Sequence, residues 1–277
     1  MTISIATGCR PAALTQQLEA RRLAADMHVQ FTKAAEAANR AVMADTDEAS
    51  ASAVREARDG TQSVESDLKE LHPILTSLGY TDELRYFEAF NEAFGEYRKL
   101  DDEILPLAVE NSNVKAQRLS FGPARQASDD FRRSLEAAVR AAAPQSPCCA
   151  DALASKATAA LLDIQVLHAP HIAEAEDAAM TRMEEQMAAS EAVVKKTLDD
   201  LKRVLGAKAD GQLTAAIAAF DQFKETHREI IKLSRRNSDV RSLALSLGQK
   251  RMVTATADDQ LRALEEALAK RGFTATR

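Results

Sequence analysis

The 277-residue sequence has no tryptophan and only three cysteines, nine glycines and seven prolines. So few turn-forming residues cannot punctuate the many short strands of a sandwich or barrel. The cysteines are Cys9 and the neighbours Cys148 and Cys149, with no CxxC, CxxCH or Cys/His spacing. Neither a zinc site nor a c-type haem attachment is encoded, and adjacent cysteines rarely bridge each other because the geometry across one peptide bond is strained. No stretch of eighteen or more uncharged apolar residues is present, so no transmembrane helix is expected. Met1 to Leu14 lacks the apolar run of a signal peptide. If Met1 is the native start, the expectation is a soluble cytoplasmic protein.

Charge of one sign is also missing. The 42 acidic and 36 basic residues are interspersed, for a net charge of −6, and no long basic run exists to follow a phosphate backbone. Nucleic acid is therefore not an expected partner. The chain has no Gly-rich phosphate loop, nucleophile elbow or HExxH, and lacks the Glu-x-x-His pairs of di-iron bundles. The expectation is a chain that is not an enzyme and carries no cofactor or resident metal.

What the sequence does contain is alanine with leucine, glutamate, lysine and arginine, the residues that favour helix. The fold class expected is all-α, and the length accommodates two domains. An internal repeat fixes the organisation. Phe94 to Arg125 and Phe220 to Arg251 align without a gap at an offset of 126, with eleven identities in 32 positions. Among them are Glu103/Glu229, Asn111/Asn237, Ser112/Ser238, Ser120/Ser246 and Gly122/Gly248. Upstream the offset becomes 130, pairing Leu68, Leu71 and Leu75 with Leu198, Leu201 and Leu205. The natural join is Pro144-Gln145-Ser146-Pro147. Two tandem up-down four-helix bundles with long helices follow, the first over residues 1–144 and the second over 145–277.

Helices are expected from about Pro11 to Met43, Asp47 to Leu78, Thr81 to Leu119, and beyond a break or kink at Gly122-Pro123 to Ala143. The second unit repeats the pattern from about Cys148, with joints around Glu174, Gly211 and Gly248. In the third helix, Phe87, Phe90, Phe94, Tyr97, Leu100, Ile104, Leu107, Val114 and Phe121 form an apolar seam whose gaps fall on Asn111 and Arg118. Asn237 and Ala244 fill the matching gaps of the second unit. A seam asparagine either fixes helix register or contributes to a polar pocket. An inward Arg118 would need a carboxylate, its own or a ligand's, unless it snorkels outward. The candidate ligand-binding residues are Asn111, Lys115, Arg118, Asn237 and Arg241.

His168 and His171 flank Pro170 at a spacing of three, which could place both on one helix face for a metal or haem. No acidic or cysteine partner stands at a matching spacing, so a kinked or terminal turn with surface rings is the expectation.

The segments Glu110 to Gly122 and Arg236 to Gly248 resemble the late helices of the four-helix-bundle sensory modules of methyl-accepting chemotaxis receptors. The run His168 to Met180 and the ending Lys270 to Arg277 are similar to that group as well. The resemblance implies a periplasmic signal-input module that binds a small, anionic molecule between helices and passes a helix shift to a signalling partner. It also implies a homodimer formed through helix packing, and attachment to a membrane only through a segment absent from this chain. The alternative is a helical scaffold or interaction bundle without a small ligand.

Overall fold

The computed structural model describes residues 10–142, 147–206 and 209–274. Among them it contains helices and no strands, so the fold is all-α. The expected join at Pro144 to Ser146 lies outside the described residues, as does Cys9.

The first half holds α1 (Arg10–Met43), α2 (Asp47–Leu78), α3 (Thr81–Glu110), α4 (Ser112–Leu119) and α5 (Arg125–Ala142), with a π turn, Ser120–Ala124, joining the last two. The second half holds α6 (Pro147–Ala173), α7 (Asp177–Leu205), α8 (Asp210–Arg236), α9 (Ser238–Leu245) and α10 (Arg251–Thr274), with a π turn at Ser246–Lys250. Local chemistry sets these ends. Thr46 caps α2 by accepting a hydrogen bond from the Ala49 N–H, and Gly79 closes it at φ 66°, a left-handed conformation that glycine adopts without steric cost.

The helices group into two compact units that do not follow the halves of the sequence. One unit comprises residues 1–110 and 241–277, the other residues 111–240. In the first unit α10 packs on α3 and α1, beside the pairs α1/α2 and α2/α3. Its core joins Leu23, Met27 and Phe31 to Leu71, Leu75, Phe90, Phe94, Leu261, Leu264 and Leu268. In the second unit α5 packs on α8 and α6, next to α6/α7 and α7/α8. There Phe131 and Leu135 of α5 join Leu161, Ile164, Leu198, Leu201, Phe220 and Phe223. Each bundle therefore takes three helices from its own repeat and the fourth from the other. The expected division at 144/145 is corrected to crossings at 110/111 and 240/241.

Antiparallel order is evident within the first unit. Arg271 near the end of α10 bonds Glu83 at the start of α3, while Lys250, just before α10, bonds Asp101 far along α3. The expected third helix running to Leu119 is also corrected, because the chain leaves the helix at Asn111 and starts a new one at Ser112. Gly122-Pro123 does not break the chain's helical course. It lies in the π turn, whose wider hydrogen-bond spacing accommodates a proline without an N–H.

Candidate functional site

Asn111 and Asn237 are the non-glycine residues with positive φ among those described, at 48° and 52°. Asparagine tolerates the left-handed region better than most side chains. Each ends one helix and admits the next, so the first N–H groups of α4 and α9 need acceptors. The two starts supply each other. The Ser112 N–H donates to Ser238 Oγ and the Ser238 N–H to Ser112 Oγ, both at 3.0 Å. The Asn113 N–H donates to Asp239 Oδ2 at 2.7 Å, and the Asp239 N–H to Asn113 Oδ1 at 3.1 Å. Asn113 Nδ2 further donates to Asn237 Oδ1 and to the Ile172 carbonyl, and Asn237 Nδ2 donates to the Glu174 carbonyl. These buried amides are satisfied by a reciprocal helix cap, which is a structural role.

The left-handed step also resets the helical phase, so the seam pattern does not continue past residue 110. Arg118 is exposed, Lys115 is half-buried, Arg241 is exposed and Phe121 is 60% exposed. Of the two alternatives for Arg118, the outward one holds. The structure brings Asn111 and Asn237 together with the cap and does not gather Lys115, Arg118 and Arg241 into a pocket with them.

The inward cation is Lys250. It is 2% exposed, ion-paired with Asp101, itself 5% exposed, and its Nζ lies 4.7 Å from the centroid of the Tyr97 ring. Burial pushes the Asp101 carboxyl up and the Lys250 ammonium down, each against the pull of the other's charge. Burial, and then the Asp101 charge, push the Tyr97 phenol up. The Tyr97 hydroxyl and Asp101 Oδ2 are buried without a hydrogen bond of regular geometry.

Lys250 contributes to the wall of a cleft of about 590 Å3 in the first unit. Phe31, Ala35, Val42 and Met43 of α1 form one side, and Leu243, Leu247 and Thr254 are on the other. Asn39 and Ser246, which share a 3.2 Å hydrogen bond, and the carboxylates Glu36 and Asp258 complete the polar part. Asp258 also bonds His28 Nε2 at 2.8 Å, and Glu265 bonds His28 Nδ1 at 3.0 Å. The π turn itself, where Gly248 departs from helical dihedrals at φ −87° and ψ −107°, is part of the cleft wall. The Lys250 position was missed because the repeat puts Ala124 opposite it. An isolated lysine beside Gly248 reads as a solvated helix residue.

The corresponding place in the second unit is filled by histidines. His168 and His171 are fully buried, and α6 continues through Pro170 to Ala173. The expected surface turn is thereby corrected. His168 Nδ1 and Ser120 Oγ share a hydrogen bond at 3.2 Å, and His168 Nε2 shares one with His227 Nδ1 at 3.0 Å. Both rings stack on Phe223. His227 stands at the repeat position of Asp101, Phe223 at that of Tyr97 and Ala124 at that of Lys250. Burial, reinforced by the charges of His227 and His171, holds His168 down at about 3. Nearby, His171 bonds Ser234 and Glu184, and Glu184 bonds Arg235 Nε at 2.6 Å. Among the described residues no group of three or more His, Cys, Asp or Glu side chains is arranged to hold a metal ion.

Compared with known families and with curated proteins, the sequence matches no family model and no curated protein.

Proposed function

We propose that the chain is a signal-input module and that its ligand site is the cleft of the first unit. The observation that carries this reading is the wall of that cleft, which includes a π turn. A cleft of about 590 Å3 is within the size range of small-molecule sites. Within that turn Gly248 leaves helical dihedrals, so the chain kinks at the cleft wall, and a kink of this kind can take more than one geometry. A ligand that binds one geometry of Ser246–Lys250 better than the other would shift α10 along its axis and so transmit occupancy. The lining is largely apolar, and Lys250 is already neutralised by Asp101. The cleft therefore suits an apolar or amphipathic molecule better than the simple anion expected from the sequence. Among the described residues no helix is long and apolar enough to cross a membrane. A periplasmic location and a separate signalling partner rest on the resemblance alone.

Thermal-shift screening of apolar and amphipathic metabolites against the wild type and Leu247→Trp tests the site. Leu247 is 64% exposed on the cleft wall, so tryptophan there would occupy the cleft without disturbing the core. Ligands should raise the wild-type midpoint and leave the variant unmoved. Equal shifts in both proteins would place the site elsewhere.

A second reading, a scaffold that packs against another helix, draws on the exposed Met43, Leu247 and Met252. It calls for light scattering across a dilution series. Mass that falls on dilution and ignores metabolites would favour it.

A further inference from the structure

A lysine ammonium is almost never fully buried, because burial strips its hydration. Lys250 is buried on the cleft wall with Asp101 as its ion partner and the Tyr97 ring facing its amine. The same positions in the second unit hold Ala124, His227 and Phe223, so a bundle of this design closes without the pair. Apolar substitutes for a buried ion pair are often as stable or more so. Packing alone thus gives no account of Lys250. Burial drives both groups toward a neutral amine beside a carboxylic acid. A desolvated neutral amine is a nucleophile for carbonyl carbon.

We propose that Lys250 captures an apolar aldehyde in the cleft of the first unit as an imine, with Asp101 carrying the proton and serving as counter-ion. This inference rests on the cleft being the ligand site. The Lys250 nitrogen adds to the carbonyl carbon, forming the C–N bond while the C=O π pair moves to oxygen. The Asp101 carboxylic acid protonates that oxygen, and the carboxylate it leaves takes the proton from the nitrogen, which gives a neutral carbinolamine and restores the acid. The Asp101 carboxylic acid then protonates that hydroxyl, the C–O bond breaks and water leaves, and the nitrogen lone pair closes C=N. Amine and aldehyde give imine and one water, with no oxidant or reductant required. To meet an aldehyde in the cleft, the Lys250 amine must turn toward the lumen on its four-carbon stem while staying within reach of Asp101. A protonated imine would find a carboxylate and an aromatic face in place. The alkyl and aromatic lining of Phe31, Val42, Met43, Leu243 and Leu247 selects an alkyl or aryl aldehyde over a sugar.

The test treats the full chain with decanal and sodium cyanoborohydride, which reduces an imine to a stable amine, and maps the labelled peptides by mass spectrometry. Lys250 should label at least about tenfold faster than Lys99 or Lys270, which are mostly exposed. Leu247→Trp should slow that label and Lys250→Arg should abolish it. If Lys250→Arg fails to fold, Asp101→Asn keeps the amine and should slow labelling by about tenfold or more through loss of the acid. Decanol, which cannot form an imine, reads the cleft separately by raising the wild-type thermal midpoint. Decanol stabilisation with label only on exposed lysines would overturn the imine and leave the cleft standing. Absence of both effects would overturn the imine and the cleft together.

Discussion

A left-handed backbone costs an ordinary L-residue roughly 1–2 kcal/mol, and at Asn111 and Asn237 the chain adopts it with φ of 48° and 52°. Asn111→Ala should therefore be less stable than Asn111→Gly by about 1 kcal/mol, read as a shift in urea midpoint. Asn111→Ala and Asn111→Gly lose the same side chain, so the comparison between the two variants isolates the backbone term. The repeat of Asn-Ser-Asx in both halves was a legible sign of this junction. It reads as a seam gap because helical spacing, taken alone, carries no information about a single residue of opposite handedness.

Lys250 and Asp101 give a second prediction at this scale. Lys250→Met leaves the buried Asp101 carboxyl without its partner and should cost about 1–3 kcal/mol, whereas the double variant Lys250→Met/Asp101→Leu should recover most of it. Chemical denaturation of the four proteins in the cycle measures the coupling.

The histidines give a third. Because His168 is held down at about 3, it stays neutral when folded, while an unfolded histidine takes up a proton below about 6.5. The unfolded state then binds more protons than the native state. Stability is complete above about pH 6.5 and falls as pH drops toward 3, by up to about 1.4 kcal/mol per pH unit. His168→Asn copies the Asn39–Ser246 bond of the other unit. It should flatten the acid branch of a plot of thermal midpoint against pH, and an unchanged branch would assign the loss to other groups.

At the scale of elements, most boundaries were readable from caps, prolines and spacing, but four helices were expected in each half where five are described. The close approach of α1 and α2 was not readable. At Gly60 an added Cβ would lie 3.0 Å from Ala34 Cβ and 3.1 Å from the Gln30 carbonyl oxygen. Alanine is the better helix former by roughly 0.5–1 kcal/mol, yet this overpacking should outweigh it. Gly60→Ala is expected to be destabilising by about 1–2 kcal/mol in a thermal or urea melt. The joint expected around Gly248 is a kink, but the π turn at Gly122-Pro123 was equally invisible, since that pair reads as a break or kink. A break and a widened turn use the same residues, and only the surrounding packing selects between them.

For the whole molecule, the repeat announced two bundles but not which fourth helix serves each. The apolar faces of α5 and α10 are equivalent by descent from one pattern, so hydrophobic spacing fits either helix to either bundle. Zero-length cross-linking of Arg271→Lys should join position 271 to Glu83, because these side chains meet at 2.8 Å in the first unit. A link from 271 to α8 instead would restore the sequential bundles.

The functional account depends on the cleft beside the π turn more than on any other feature. Its most direct test is the ligand-induced thermal shift of the wild type, Leu247→Trp and Arg118→Ala measured side by side. Stabilisation that persists in Arg118→Ala and vanishes in Leu247→Trp is the predicted result. Stabilisation lost in Arg118→Ala and kept in Leu247→Trp would contradict it.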